Sequence, residues 1–341
     1  MKGSVQMAIA DGKILLGHGS GGKLMHDLIR EVMVREFAAD PHLRLLDSAL
    51  LKLESRTLAF TTDTYVVKPL FFPGGNIGKL AVCGTINDLS VVGATPLFLS
   101  CALVIEEGFD ISLLRKVVRS MKRVAERAGV KIVTGDTKVV EKGSGDGLFV
   151  NTTGIGYAKT FFDGEIQVED EIILSGTIGD HGMAIMAARE DFGLETALRS
   201  DCAPVNELVE SLKPFFHRIR LMRDPTRGGL ATVLNEFVEG SGLGILIDEE
   251  TIPIKRGVAA LSELLGLDPL YVPNEGRVVL VCSRGMGEAL VRRMRFHPLG
   301  RRSVVIGKVV ADYPGKVCMT TKAGGTRILD MLVSDQLPRI C

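Results

Sequence analysis

Neither sign of charge dominates this chain: Lys+Arg and Asp+Glu stand at 41 each. That balance argues against nucleic acid or an anionic membrane as the main partner. No apolar run approaches the roughly 20 residues that a membrane span needs. The N-terminus also lacks a charged-then-apolar leader, so the expected location is the cytoplasm. The six cysteines (Cys83, Cys101, Cys202, Cys282, Cys318 and Cys341) contain no C-x-x-C pair, and the six histidines show no metal-ligand spacing with each other or with cysteine. A structural zinc site is therefore not expected. Five of the thiols stand among apolar or small residues, the setting of buried free cysteines in a reducing compartment. No short repeat and no low-complexity tract interrupts the chain.

What is present is a globular composition, 46% hydrophobic and 24% charged, with 39 glycines in 341 residues. That length exceeds one ordinary core and predicts two domains. The spacing of Leu24, Leu28 and Val32, with Ile29 and Phe37, predicts an amphipathic helix over 23–37. Residues 58–62 read as a buried strand delivering Asp63 at its end, and a turn at Phe72-Pro73-Gly74-Gly75 precedes a helical stretch over 77–92. That stretch carries Asn87-Asp88. A strand over 98–105 leads to a helix that starts at Ser112 and stops at Gly129. A strand over 130–134 then delivers Gly135-Asp136-Thr137-Lys138, and one over 148–157 completes the first half.

After Phe162-Asp163-Gly164 the pattern restarts, with a strand over 171–175 and a second glycine-rich turn, Gly176 to Gly182. Arg223-Asp224-Pro225-Thr226-Arg227-Gly228-Gly229 opens a helix through Val238. Strands are expected at 244–247 and 278–282, and a strand over 303–310 closes the sheet. The expected segments are 1–45 (an extension, a glycine-rich loop and a helix), 46–160, 161–330, and a mobile tail over 331–341. The fold class is α+β, two halves of comparable size.

Two features carry chemistry. Asp63, Asp88 and Asp136 each stand where a strand or helix passes into a loop. Carboxylates gathered that way repel one another and suit Mg²⁺, which wants hard oxygen ligands shared with phosphates. Beside them, Gly17-His18-Gly19-Ser20-Gly21-Gly22-Lys23 spells G-x-x-x-x-G-K, but Leu24 occupies the place of the metal-binding hydroxyl. This is not a P-loop. It is still a run of small residues opening a helix, with free N–H groups to offer a phosphate. The second feature is the ending, Leu337-Pro338-Arg339-Ile340-Cys341, which puts a thiol on the last residue. Pro338 favours an extended tail. From Met331 onward it could span on the order of 35 Å.

These blocks together resemble the HypE family of hydrogenase maturation proteins, within the superfamily of aminoimidazole ribonucleotide synthetase and selenophosphate synthetase. The resemblance runs over nearly the whole chain, through Gly17–Gly22, Thr61-Thr62-Asp63, Pro73–Lys79, Asn87-Asp88, Thr134–Val139, Ser175-Gly176, Gly179–Gly182, Asp224–Gly229, Asn274-Glu275-Gly276 and Pro338–Cys341. It implies a homodimer whose N-terminal halves share a β-barrel. It implies ATP and Mg²⁺ held by Asp63, Asp88 and Asp136, with Asn87 and Thr137 beside them and Gly19, Ser20, Gly21 and Gly22 folding over the phosphates. It implies a carbamoyltransferase partner, HypF, that loads a carboxamide onto the Cys341 sulfur. ATP-dependent dehydration then gives a thiocyanate, and the cyanide passes to iron on a HypC–HypD complex to ligate the active site of [NiFe]-hydrogenase. Residues 1–12 lie before the family's usual start.

The residue types suit that chemistry. ATP must first phosphorylate the amide oxygen, a step that needs positioning and charge neutralisation, for which Lys138 is suited. Loss of an N–H proton then needs a base, with Glu275 the first candidate and His181 the reserve. The carboxylate beside the Cys341 thiol opposes thiolate formation. Activation is therefore expected from the transferase or from a docked basic group, and Arg339 is either that group or an anchor for the tail. Two other readings stand at this point. One is a related enzyme acting on a diffusible amide, formyl or selenium substrate, although no cysteine precedes residue 83. The other is an assembly protein whose tail only docks.

Overall fold

The computed structural model describes residues 22–30, 47–52, 57–189, 197–332, 337 and 339–341. Gly19, Ser20 and Gly21 of the glycine-rich loop, the extension over 1–12, residues 31–46 and Pro338 lie outside the described residues.

In the first half, helix α1 (Lys23–Leu28) is followed by β1 (Ala49–Lys52), β2 (Thr57–Tyr65) and a small hairpin, β3 (Phe71–Phe72) and β4 (Gly75–Asn76). Next come α2 (Ile77–Val91), β5 (Thr95–Glu106), α3 (Ile111–Arg127), β6 (Lys131–Val140) and β7 (Leu148–Ala158). Five strands form one sheet in the order β1-β2-β7-β5-β6. Every second residue of β7 from Leu148 to Ala158 is buried, the period-2 pattern of a sheet with one face covered. The cover is α2, whose residues are apolar or small nearly all round and mostly buried. Its N-cap is Asn76, whose Oδ1 accepts the Lys79 N–H at 3.0 Å. By contrast α3 buries only a stripe, Val117, Ser120, Met121 and Ala125, at helical spacing.

The second half contains β8 (Glu171–Leu174), α4 (Asp180–Ala187), α5 (Asn206–Ser211), β9 (Ile219–Arg223), α6 (Gly229–Val238) and β10 (Gly244–Asp248). It continues with α7 (Arg256–Leu265), β11 (Val279–Cys282), α8 (Gly287–Arg295), β12 (Val304–Val310), β13 (Val317–Thr320) and β14 (Thr326–Leu329). Seven strands pair in the order β14-β13-β10-β12-β8-β11-β9. Among the described residues no helix is long and apolar enough to cross a membrane.

Four expectations need correction. Asp63 does not end its strand: Ala59, Thr61 and Tyr65 are buried in alternation, and β2 pairs with β7 out to Tyr65. Asp136 likewise lies inside β6, which pairs in parallel with β5 as far as Val140. An edge strand needs no apolar face to keep its ladder, so the polar Thr-Gly-Asp-Thr-Lys run did not stop it. The strand over 303–310 does not close the second sheet either. As β12 it sits between β10 and β8, and β13 and β14 extend the far edge. Of the five thiols expected to be buried, Cys101 is only half-buried.

One apolar core spans both halves. It joins Tyr65, Ile77, Leu80 and Ile86 to Met183, Val258 and Val272, and it includes Leu337 and Ile340 from the tail. The chain's end is thus packed into the interior.

Candidate active site

Helix α2 presents Gly84, Asn87 and Asp88 on neighbouring turns, where i, i+3 and i+4 positions share a face. The two polar members do different work. Asn87 is fully buried: its Oδ1 accepts the Val205 N–H at 2.8 Å, and its Nδ2 donates to the carbonyls of Ala203 and Glu275, 3.3 Å each. It staples α2 to the loop that carries Glu275. Asp88 instead faces a cavity of about 900 Å³ between the halves.

Asp63 from β2, Asp88 from α2, Asp224 from the end of β9, Asp47 and Glu275 all line this cavity, as do Arg223, Arg227 and Cys341. The Thr61 hydroxyl, 2.9 Å from Asp88 Oδ2, is a hydrogen-bond donor to that carboxylate. Burial, and then the charges of Asp224, Asp63 and Asp47, push the Asp88 carboxyl well above the usual carboxylate range. Asp224 is raised in the same way, by burial first and then by Asp47. Glu275, 2% exposed, is raised well above its ordinary value, chiefly by burial. Arg223 offsets one end of the cluster, with Nη1 2.7 Å from Asp47 and Nε 3.2 Å from Glu236. Arg227 stands 4.0 Å from Asp63. Its guanidinium loses solvation on burial, but the negative charges of Cys341 and Asp63 more than compensate and hold it charged.

Among the described residues, no three His, Cys, Asp or Glu side chains are close enough together to hold a metal ion unaided. The donor set still fits a hard dication that brings phosphate with it. Such an ion takes one or two carboxylates and fills its remaining positions with phosphate oxygens and water. The mutual repulsion of Asp63, Asp88 and Asp224, and a buried Asp224 Oδ2 without a hydrogen-bond partner among the described residues, are the observations that support the fit.

The tail reaches the cavity at Cys341. The Val66 N–H donates to a main-chain carboxylate oxygen of Cys341 at 3.3 Å and the Lys68 N–H to the Arg339 carbonyl at 3.1 Å. Arg189 adds a second donor to the Arg339 carbonyl at 3.3 Å. Arg339 forms an ion pair with Asp146, which makes it the tail's anchor. The tail is not fully extended, because Arg339 has φ +59°, a left-handed conformation that costs a non-glycine residue about 1 kcal/mol.

His181 does not face the cavity. It is fully buried, with Nε2 3.0 Å from the Ile340 carbonyl and Nδ1 2.8 Å from Ser200 Oγ. A carbonyl can only accept, so these partners place the proton on Nε2 and make Ser200 the donor to Nδ1. Ser200 Oγ in turn accepts the Cys202 N–H at 3.0 Å. Burial lowers the His181 pKa, which favours the neutral ring. Its role is to hold the residue next to the thiol.

Asp136, Thr137 and Lys138 are not brought to the cavity within one chain. They lie on β6, exposed, with Lys138 Nζ 3.0 Å from Asp136. Gly22 is buried at the start of α1 and is not part of the cavity wall. Sequence reasoning had passed over Asp47, Tyr65, Asp224 and Arg227. Asp224 and Arg227 carried a signal: both stand in the block that opens a helix, and Asp224 follows a strand, the placement that singled out Asp63. Asp47 and Tyr65 carried none.

Comparison with known proteins bears on this arrangement. Residues 46–158 match the family described as AIR synthase related protein, N-terminal domain, and residues 167–318 match its C-terminal domain. A carbamoyl dehydratase HypE from Rhodobacter capsulatus is 48% identical over 98% of this chain and 100% of its own length. A solved HypE–HypF complex aligns with TM-score 0.84 at 47% identity, covering 89% of this chain and 99% of that one. A HypE structure in complex with ATP aligns at 0.80 and 44% identity, covering 96% and 100%.

Proposed function

The chain belongs to the HypE carbamoyl dehydratases, a branch of the AIR synthase related family, and from that premise we propose that it uses ATP to dehydrate a carboxamide carried on its own Cys341. The observation that carries the reading is the position of the last residue. Cys341 lines the same cavity as Asp63, Asp88, Asp224 and Glu275, so the group on its sulfur and the acids that suit a nucleotide face one space. The product is a thiocyanate that supplies cyanide for hydrogenase maturation.

The reaction divides between two sets of residues. Asp63, Asp88 and Asp224 would hold Mg²⁺ against the phosphates of ATP; the ion supplies charge neutralisation for phosphoryl transfer. The carboxamide oxygen attacks the γ-phosphorus, ADP leaves, and one N–H proton is lost. Glu275, whose Oε2 is buried without a hydrogen-bond partner among the described residues, is the base that takes it. The C–O bond then breaks, phosphate departs with the second N–H proton, and S–C≡N remains on Cys341. Arg227, drawn by the negative charge of Cys341, holds the end of the tail during both steps.

A second copy completes the site. Strand β6 is an uncovered sheet edge with Ile132, Val133 and Val139 exposed on it, a surface that calls for a partner strand or face. Pairing the N-terminal halves of two chains there would bring Asp136, Thr137 and Lys138 of one to the cavity of the other. HypF loads the tail, a role supported by the solved complex of a 47% identical HypE with HypF. A HypC–HypD complex accepts the cyanide, and the reactions take place in the cytoplasm.

The test is Cys341→Ala in the full-length protein. Thiocyanate formation from carbamoyl phosphate, HypF and ATP should vanish while ATP binding remains. Continued conversion of carbamoyl groups to cyanide by that variant would refute the reading.

A further inference from the structure

Four buried polar atoms of the cavity lining make no hydrogen bond of ordinary length among the described residues: Tyr65 Oη, Glu275 Oε2, Asp224 Oδ2 and Thr232 Oγ1. Tyr65 is 2% exposed. Leaving its hydroxyl unpaired costs about 1–3 kcal/mol, a cost a phenylalanine would avoid while filling the same core. The Asp63 carboxylate is near enough to interact with the hydroxyl, but the two make no hydrogen bond of ordinary length. The fold makes room for the oxygen. A Cβ on Gly84 would stand 2.1 Å from Oη, so only glycine at that turn of α2 admits the phenol.

The hydroxyl also has one fixed role. A phenol keeps its proton at neutral pH, so it is a donor. The residue after Tyr65, Val66, holds a main-chain carboxylate oxygen of Cys341 through its N–H. Cys341, Tyr65 and Glu275 line one cavity, so a group on the sulfur shares that space with both side chains. One donor and one acceptor are the complement of a primary carboxamide, which offers a carbonyl oxygen and an N–H.

Resting on the function proposed above, we infer that Tyr65 is a catalytic residue: its O–H holds the oxygen of the Cys341 carboxamide while Glu275 takes the nitrogen, so the pair selects a primary amide. The carbonyl oxygen has two lone pairs. One accepts from Tyr65 and the other attacks phosphorus. When the C–O bond breaks, that oxygen leaves with the phosphate and gathers negative charge, and the phenol hydrogen bond strengthens as it does so. The proton of Tyr65 stays on its oxygen throughout. An ester or acid on the sulfur would lack the N–H and leave Glu275 unmatched.

The experiment is single-turnover dehydration in the full-length protein, loaded by HypF and followed by mass analysis of the C-terminal peptide for loss of one water. Tyr65→Phe should slow this step about 10²-fold, the usual effect of removing one donor from a developing oxyanion. ATP affinity should not change, and the melting temperature should stay level or rise. Gly84→Ala keeps the hydroxyl but drives a methyl into it, and should also lose rate. A full rate in either variant overturns the proposal. So does a rate loss in Tyr65→Phe accompanied by weakened ATP binding or a lowered melting temperature, which would make the hydroxyl structural. If the unsubstituted protein yields no thiocyanate, the carrier role of Cys341 fails instead, and the two failures are told apart.

Discussion

The tail's docking can be measured through Ile340, which is 2% exposed and belongs to the core shared by both halves. Ile340→Ala removes three carbon groups from that core. At ~0.8 kcal/mol for each buried CH₂ the docked state loses ~2.4 kcal/mol. The released tail hydrates the same side chain, so nearly all of this difference falls on the docking equilibrium. At 1.4 kcal/mol per tenfold, the undocked population rises ~50-fold. The assay is the alkylation rate of Cys341, read on the C-terminal peptide under conditions where opening limits labelling. That rate should rise by the same factor, loading by HypF should be no slower, and dehydration should slow. An unchanged alkylation rate would mean that the Ile340 socket does not hold the tail, and the reasoning would fail.

Two further outcomes follow from the electrostatics. His181→Ala removes the donor to the Ile340 carbonyl and should weaken docking by about 1 kcal/mol, whereas His181→Gln, which keeps an N–H, should restore part of it; Cys341 alkylation reads both. The His181 pKa lies below its ordinary 6.5, so its contribution is fully present above that value and lost as pH falls through the lowered one. For Asp88 and Asp224 the sign is opposite, because their carboxyls are raised, chiefly by burial. Their contribution to folding is present below the ordinary 3.8 and lost as pH rises through the raised values. Mg²⁺ with nucleotide should therefore release protons on binding. Calorimetry in buffers of different ionisation enthalpy measures that release, and binding without proton release would remove the acids from the metal site.

Much of the architecture was legible from local pattern. The helix over 77–92 and the amphipathic helix stopping at Gly129 match α2 and α3, because burial on one face or all round leaves its mark in spacing. Strand ends were less legible. Asp63 and Asp136 looked like loop acids because polar residues commonly end strands, but backbone pairing to β7 and β5 carried both strands past them. The order of the second sheet was not legible at all, since β12 pairs with β8 and β10 across more than 50 residues of intervening chain.

The candidate site divides along the same line. Residue chemistry along the chain determined that there would be carboxylates for a hard cation, a glutamate beside a glycine-rich turn, and a sulfur at the terminus, because charge and nucleophilicity belong to side chains wherever they stand. Which of these share a space was decided only in three dimensions. Folding brought Asp224 and Tyr65 to Asp88 from distant elements, turned His181 from a reserve base into a clamp on the Ile340 carbonyl, and left Asp136 and Lys138 on an open sheet edge. The physical reason is that a pKa, a donor's partner and a cavity wall are set by neighbours in space, and linear order does not record them.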